Sequence, residues 1–178
     1  MMTSLRLKPI WILLLAMVLL SSCQNRHGEK IEVTIQRVVS GQTLEVVIDS
    51  QTPEVLEKVR LIGISAPDWR QKPWGLQAKE RLEELLSNSL SESSIHLEID
   101  NQTQDSYGRY LAYVWRDGIL INEKLVQEGY VLAAPLPPND KYNQRFAYAQ
   151  EYARLMGLGI WNPEQPMGMT PQEFRNQN

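Results

Sequence analysis

Between residues 31 and 115 apolar side chains recur at every second position in five short runs, and helical spacing interrupts the series once. Ile31, Val33 and Ile35 share one strand face, and Leu44, Val46 and Ile48 share another. Residues 59–64 are apolar on both faces except for Arg60, which alternation puts on the side of Ile62 and Ile64. An arginine there must reach the rim of the sheet or find a partner, because an unpaired buried charge is very costly. Ile95, Leu97 and Ile99 alternate as a fourth strand. Residues 110–115 form a fifth, ended by the Asp117-Gly118 turn signal. After Pro73, the stripe Ala78, Leu82, Leu85 and Leu86 predicts a helix between the third and fourth strands. That order is the connectivity of a small Greek-key barrel. The predicted fold is α+β, a five-stranded OB-fold β-barrel with about three helices.

The remaining helices follow the barrel. Asn122 is placed to cap a short one carrying Leu125 and Val126, with Gly129 ending it. A Pro-rich loop at 133–139 precedes a longer helix with Tyr142, Phe146, Ala149, Ala153 and Met156 on one predicted face. Thr170-Pro171-Gln172-Glu173 reads as a capping box that starts a brief final helix.

Residues 1–22 stand apart. Arg6 and Lys8 precede an apolar run from residue 10 to 20, which is shorter than a bilayer-spanning helix needs and has the plan of a secretory signal peptide. The ending Leu20-Ser21-Ser22-Cys23 resembles the lipobox of bacterial lipoproteins. Cys23, the only cysteine, would then carry lipid; an ordinary signal peptide with an incidental cysteine is the alternative. The expected organisation is signal peptide 1–22, tether 23–30, barrel domain 31–163, and a tail 164–178 with a short helix. The expected location is the cell envelope, extracytoplasmic and held to the membrane through Cys23. Loss of residues 1–22 moves the formal charge from −3 to −5. Such a balance argues against broad coating of nucleic acid, which takes a basic stripe, yet leaves room for a local arginine cluster. His27 and His96 show no metal-like spacing, and Trp69, Trp74, Trp115 and Trp161 read as packing residues. Nothing in the sequence points to an oligomer.

Four segments in order, VRLIGISAPD (59–68), DSYGRYLAYVW (105–115), INEKLVQEGYVLA (121–133) and LGIW (158–161), resemble the thermonuclease, or staphylococcal-nuclease-like, family. The likeness runs from about residue 31 to 161. It implies hydrolysis of phosphodiesters in DNA and RNA with calcium, two Asp holding the ion, a Glu assisting water and two Arg stabilising the phosphate. Arg60 and Arg109 match the arginines, Asp68 stands at the position of the Glu, and Tyr107 matches an aromatic of the nucleotide pocket.

Other positions depart from that pattern. Gln42 and Ser65 replace the calcium-holding Asp residues, and Ser40 replaces a further Asp of the turn. Ala66 replaces a residue that commonly bears a hydroxyl, and Ser106 one that is often Lys. Pro135 and Pro137 fall near positions that carry stacking tyrosines in the family's best-known members. Calcium takes six to eight oxygen ligands, and carboxylate charge sets much of its affinity. The metal site is therefore degenerate, leaving at most a weakly held Ca²⁺ or Mg²⁺ on Asp68. Two functions stay open at this point. One is a phosphodiester hydrolase with weakened or altered metal dependence, in which the Arg pair binds nucleic acid or nucleotide phosphate and Asp68 serves as base. The other is an inactive, envelope-anchored binding module for nucleotide, nucleic acid or a protein partner. Structural ion pairs of Arg60 and Arg109 with Asp68 or Asp105 would be the bland explanation of the same residues.

Overall fold

The computed structural model describes residues 30–50, 53–87 and 94–177. The leader, Cys23 and His27 lie outside that set. Among the described residues no helix is long and apolar enough to cross a membrane.

Strand β1 (Lys30–Ser40) pairs antiparallel with β2 (Thr43–Ile48), and β2 with β3 (Leu56–Leu61). Strand β4 (Ile64–Ser65) follows at once, and helix α1 (Trp74–Ser87) leads to β5 (Ile95–Glu98) and β6 (Tyr110–Arg116). Strand β5 pairs with both β1 and β6. Parallel pairing of β6 with β3, Val59 opposite Tyr110 and Leu61 opposite Ala112, closes the ring. The result is the five-stranded barrel that the sequence predicts. Two register shifts in β1, after Ile35 and after Val38, let one long strand bend through the ring. Asp117 and Gly118, both at positive φ, turn the chain into β7 (Ile119–Leu120) against β6.

Helix α2 (Ile121–Gln127), strand β8 (Leu132–Ala133), helix α3 (Asn143–Leu155), a 3₁₀ turn (Gly159–Trp161) and helix α4 (Pro171–Gln177) complete the chain. Strand β8 pairs with β4. The barrel interior holds Leu44, Val46, Val59, Leu61, Ala112 and Val114, sealed by Ala78 and Leu82 of α1 and Leu125 of α2. Leu111 and Tyr113 face the other way, onto Phe146 of α3. Strand β6 is thus buried on both sides, which explains its unbroken apolar run.

Four expectations need correction. The third strand breaks at Leu61 instead of running to Ile64, because Gly63 turns at φ +74°, and a Cβ there would lie 2.3 Å from the Phe146 ring. Met156 and Leu155 are exposed, so the buried face of α3 is Phe146, Ala149 and Ala153. Trp69 does not pack but is 73% exposed. Asn122 is not a cap. Helix α2 begins one residue earlier, and Asn122 is wholly buried. Its Oδ1 accepts from Val114 N at 2.9 Å, and its Nδ2 donates to Ile62 O at 2.9 Å. This amide brackets the two strands that close the barrel.

Buried Glu98 is a second polar anchor beside β6. It accepts from Trp115 Nε1 at 2.7 Å and Tyr142 Oη at 3.0 Å, and pairs with Lys141. Burial alone would raise its pKa, but these donors outweigh it and hold the carboxyl below its ordinary value.

Replacing Asn122 with Ala strands a buried N–H and a buried carbonyl. Urea unfolding should show a loss of about 3 kcal/mol. A loss below about 1 kcal/mol would show that the bracket is dispensable.

Candidate functional site

The barrel brings five segments to one rim: the β1–β2 turn, the end of β3, the β4 loop, the loop before β6, and α4. Arg60 lies opposite Thr43 on one side and Leu111 on the other. The parallel pairing therefore places Arg60 beside the loop that carries Arg109. Its guanidinium, partly buried, donates to Leu61 O and, at 2.5 Å, to Ile64 O. Among the described residues no carboxylate lies within ion-pair distance of it. Burial pushes its pKa down to about 10, helped by the charges of Arg109 and Arg175, with Asp105 opposing. The carbonyls fix the direction of this cation and leave its charge uncompensated.

Arg109 is different. Its Nε donates to Asp105 Oδ2 at 2.8 Å and its Nη2 lies 2.7 Å from the same oxygen, while Asp105 Oδ1 accepts from the backbone N of Tyr107 and Arg109. Burial works against the Asp105 charge, but the Arg109 and backbone donors hold its pKa below the ordinary value. The bland expectation of an Arg109–Asp105 pair is met, and for Arg60 it is not. The same closed loop holds Tyr107 out in solvent, 82% exposed, with the Arg109 guanidinium 5.5 Å from its ring centre. Exposed Trp69 sits beside Asp68. Both rings present faces on which a base can stack.

Asp68 is already engaged. Arg70, which the sequence reading passed over, donates to Asp68 Oδ1 from Nε at 2.9 Å and from its backbone N at 3.0 Å. Those bonds hold the carboxyl below the usual range. Helix α1 begins hard against this loop, where a Cβ on Gly75 would lie 2.0 Å from Asp68 O, so the loop backbone has one position.

The two positions expected to hold a metal carry other bonds. Gln42 Oε1 accepts from Ala66 N at 2.6 Å, tying the β1–β2 turn to the β4 loop, and Ser40 Oγ accepts from Gln42 N at 3.4 Å. Ser65, 8% exposed, accepts at Oγ from Arg175 Nη2 at 3.0 Å. Among the described residues no three His, Cys, Asp or Glu side chains cluster in a way that could hold a metal. The donor set here is one amide oxygen, one hydroxyl and one paired carboxylate, with cations around it. It does not fit calcium.

Arg175 was absent from the sequence reading, although the capping box that carries it was legible. Glu173 N donates to Thr170 Oγ1 at 3.2 Å, and Thr170 N donates to Glu173 Oε2 at 2.8 Å. Docking of α4 was not legible. It comes from Gln71 Nε2 donating to Met169 O at 2.9 Å, from Arg70 lying 5.2 Å from the Phe174 ring centre, and from buried Pro171. A cleft of about 580 Å³ elsewhere is lined by Glu80, Glu84 and Glu128 against Arg81, the wrong charge for phosphate.

Comparison with known proteins identifies the family. Residues 58–163 match the family described as staphylococcal nuclease homologue. The chain is 36% identical to a thermonuclease of Staphylococcus intermedius over 132 residues, 71% of this chain and 74% of the relative. It is 34% identical to a thermonuclease of Staphylococcus hyicus over 131 residues, 71% and 73% of the two chains. Endonuclease YncB of Bacillus subtilis is 30% identical over 139 residues, 74% of this chain and 62% of that protein. The chain belongs to the staphylococcal nuclease homologue family.

Proposed function

We propose that this protein binds the phosphodiester backbone of single-stranded nucleic acid and hydrolyses it slowly, without the calcium centre its family resemblance implies. The observation that carries the reading is Arg60, a fixed and uncompensated guanidinium facing the same rim as Arg109 and exposed Tyr107. Planar guanidinium forks match phosphate oxygens in bidentate geometry, and such charge-assisted bonds are strong. Tyr107 and Trp69 supply stacking faces for unpaired bases. The nuclease names of the relatives support nucleic acid as the ligand.

In the hydrolytic step Asp68 takes a proton from water as the water oxygen adds to phosphorus. The bond from phosphorus to the leaving sugar oxygen breaks, and that oxygen takes a proton from solvent. Arg60 and Arg109 stabilise charge on the non-bridging oxygens. Asp68 is poorly suited to speed. Its pKa is held low, whereas an efficient base has a pKa near the working pH, and Arg70 must first release it. This pairing favours a second reading, binding without turnover.

The location belongs to the same proposal. We infer a lipoprotein held in the envelope through Cys23, on the strength of the leader and its ending. Cys23→Ala should move the protein from the membrane fraction to the soluble fraction; unchanged membrane retention and processing would refute the anchor.

For the chain beginning at residue 24, cleavage of single-stranded DNA and RNA should be slow, unaffected by chelator, and abolished by Asp68→Asn. Cleavage that requires calcium would sink the proposal. Binding that persists with no cleavage at all would select the second reading. Arg60→Met should weaken oligonucleotide binding at least tenfold while the variant still unfolds cooperatively in urea. Unchanged affinity would remove Arg60 from the site.

A further inference from the structure

We propose that Arg175 stands in for the metal ion, as the third guanidinium of a phosphate pocket shared with Arg60 and Arg109. The inference rests on the arginine-pocket reading and adds to it the source of the missing positive charge.

Three observations meet at this residue. Arg175 Nη2 donates to Ser65 Oγ, the side chain standing at a position where the family resemblance expects a ligand carboxylate. Its other hydrogen bond, 3.4 Å to Gln172 Oε1, is also to a neutral group, and no carboxylate lies within ion-pair distance among the described residues. Its charge nevertheless reaches both sides of the pocket, opposing that of Arg60 and favouring ionised Asp68. An arginine that served only to hold α4 in place would be expected to pair with an acid. This one is held by a hydroxyl, and its charge opposes that of Arg60.

The substitutions then form a set. A carboxylate at position 65 would pair with Arg175 and cancel it; serine orients the guanidinium and leaves its charge whole. Gln42 keeps a hydrogen-bond acceptor for Ala66 N and adds no negative charge. Arg109 is matched by Asp105 and Arg70 by Asp68, so of these four rim arginines Arg60 and Arg175 have no carboxylate within ion-pair distance among the described residues. Two uncompensated guanidinium groups at one rim make an anion site. Because α4 is fastened by its capping box, the Gln71–Met169 bond and the Arg70–Phe174 contact, Arg175 is presented there before any ligand arrives.

The test uses a short fluorescent single-stranded DNA oligonucleotide and a salt series, with folding of each variant checked by urea unfolding. Arg175→Gln should weaken binding about tenfold and lower the magnitude of the salt slope by about 0.7, the contribution of one phosphate contact on a single strand. Arg175→Lys should restore the slope and part of the affinity. Unchanged or tighter binding by a folded Arg175→Gln protein would overturn the inference, tighter binding meaning that α4 obstructs the rim. If Arg60→Met and Arg109→Gln weaken binding and Arg175→Gln does not, the arginine-pocket reading stands without Arg175. If none of the three matters, that reading fails as well. A calorimetric calcium titration gives an independent check. Gln42→Asp with Ser65→Asp should bind calcium at least tenfold more weakly than the same pair combined with Arg175→Gln, since Arg175 would neutralise the new carboxylate at position 65. Equal calcium affinities would show that Arg175 does not hold the metal's place.

Discussion

The parallel pairing of β3 with β6 is the contact on which the rest depends. It joins segments about fifty residues apart, turns an open antiparallel sheet into a ring, and seats Arg60 next to the loop of Arg109. Without it the two arginines would belong to unrelated edges. Asn122 secures the closure with its amide, accepting from Val114 of β6 and donating to Ile62 just past the end of β3. A polar residue at zero exposure is tolerable only with both partners present, which ties the integrity of the site to one buried side chain.

A metal ion in a nuclease supplies two separable things, positive charge on the phosphate and an activated water. A tethered guanidinium supplies the first alone. It cannot lower the pKa of a bound water, and its charge is spread over a plane. Grip on a phosphate can therefore survive the exchange while generation of a nucleophile declines, which is the balance the Asp68–Arg70 pair also suggests. On that proposal the protein's cation is, in return, always present, independent of calcium in the surroundings.

Much of this architecture could be read from the chain. Period-2 alternation locates the strands because each has an inner face that must be apolar, and the turn at Asp117-Gly118 is written in its residue types. Arg60 stood out as a charge inside an apolar run, and the capping box announced α4. What escaped depends on packing between distant segments. Asn122 looked like a cap because a cap and a buried bracket use the same side chain. Trp69 reads as packing because exposure of a tryptophan leaves no trace in periodicity. Arg70 and Arg175 were indistinguishable from ordinary surface arginines until the fold set them against Asp68 and Ser65.

The closure of the ring also bears on how the chain assembles. Until β6 arrives, β3 is an edge strand, with a row of unpaired backbone groups open to other chains. Edges of that kind recruit aggregation, and charged side chains along them are a common defence. The β3 sequence LEKVRL carries three charged residues in six, Glu57, Lys58 and Arg60, while its apolar Val59 and Leu61 are buried in the core. Non-local closure is intrinsically slow, so the exposed interval is not negligible. On the proposed function Arg60 serves the protein twice, first as a gatekeeper that keeps the unfinished barrel to itself, and later as the cation that the finished barrel offers to a phosphate.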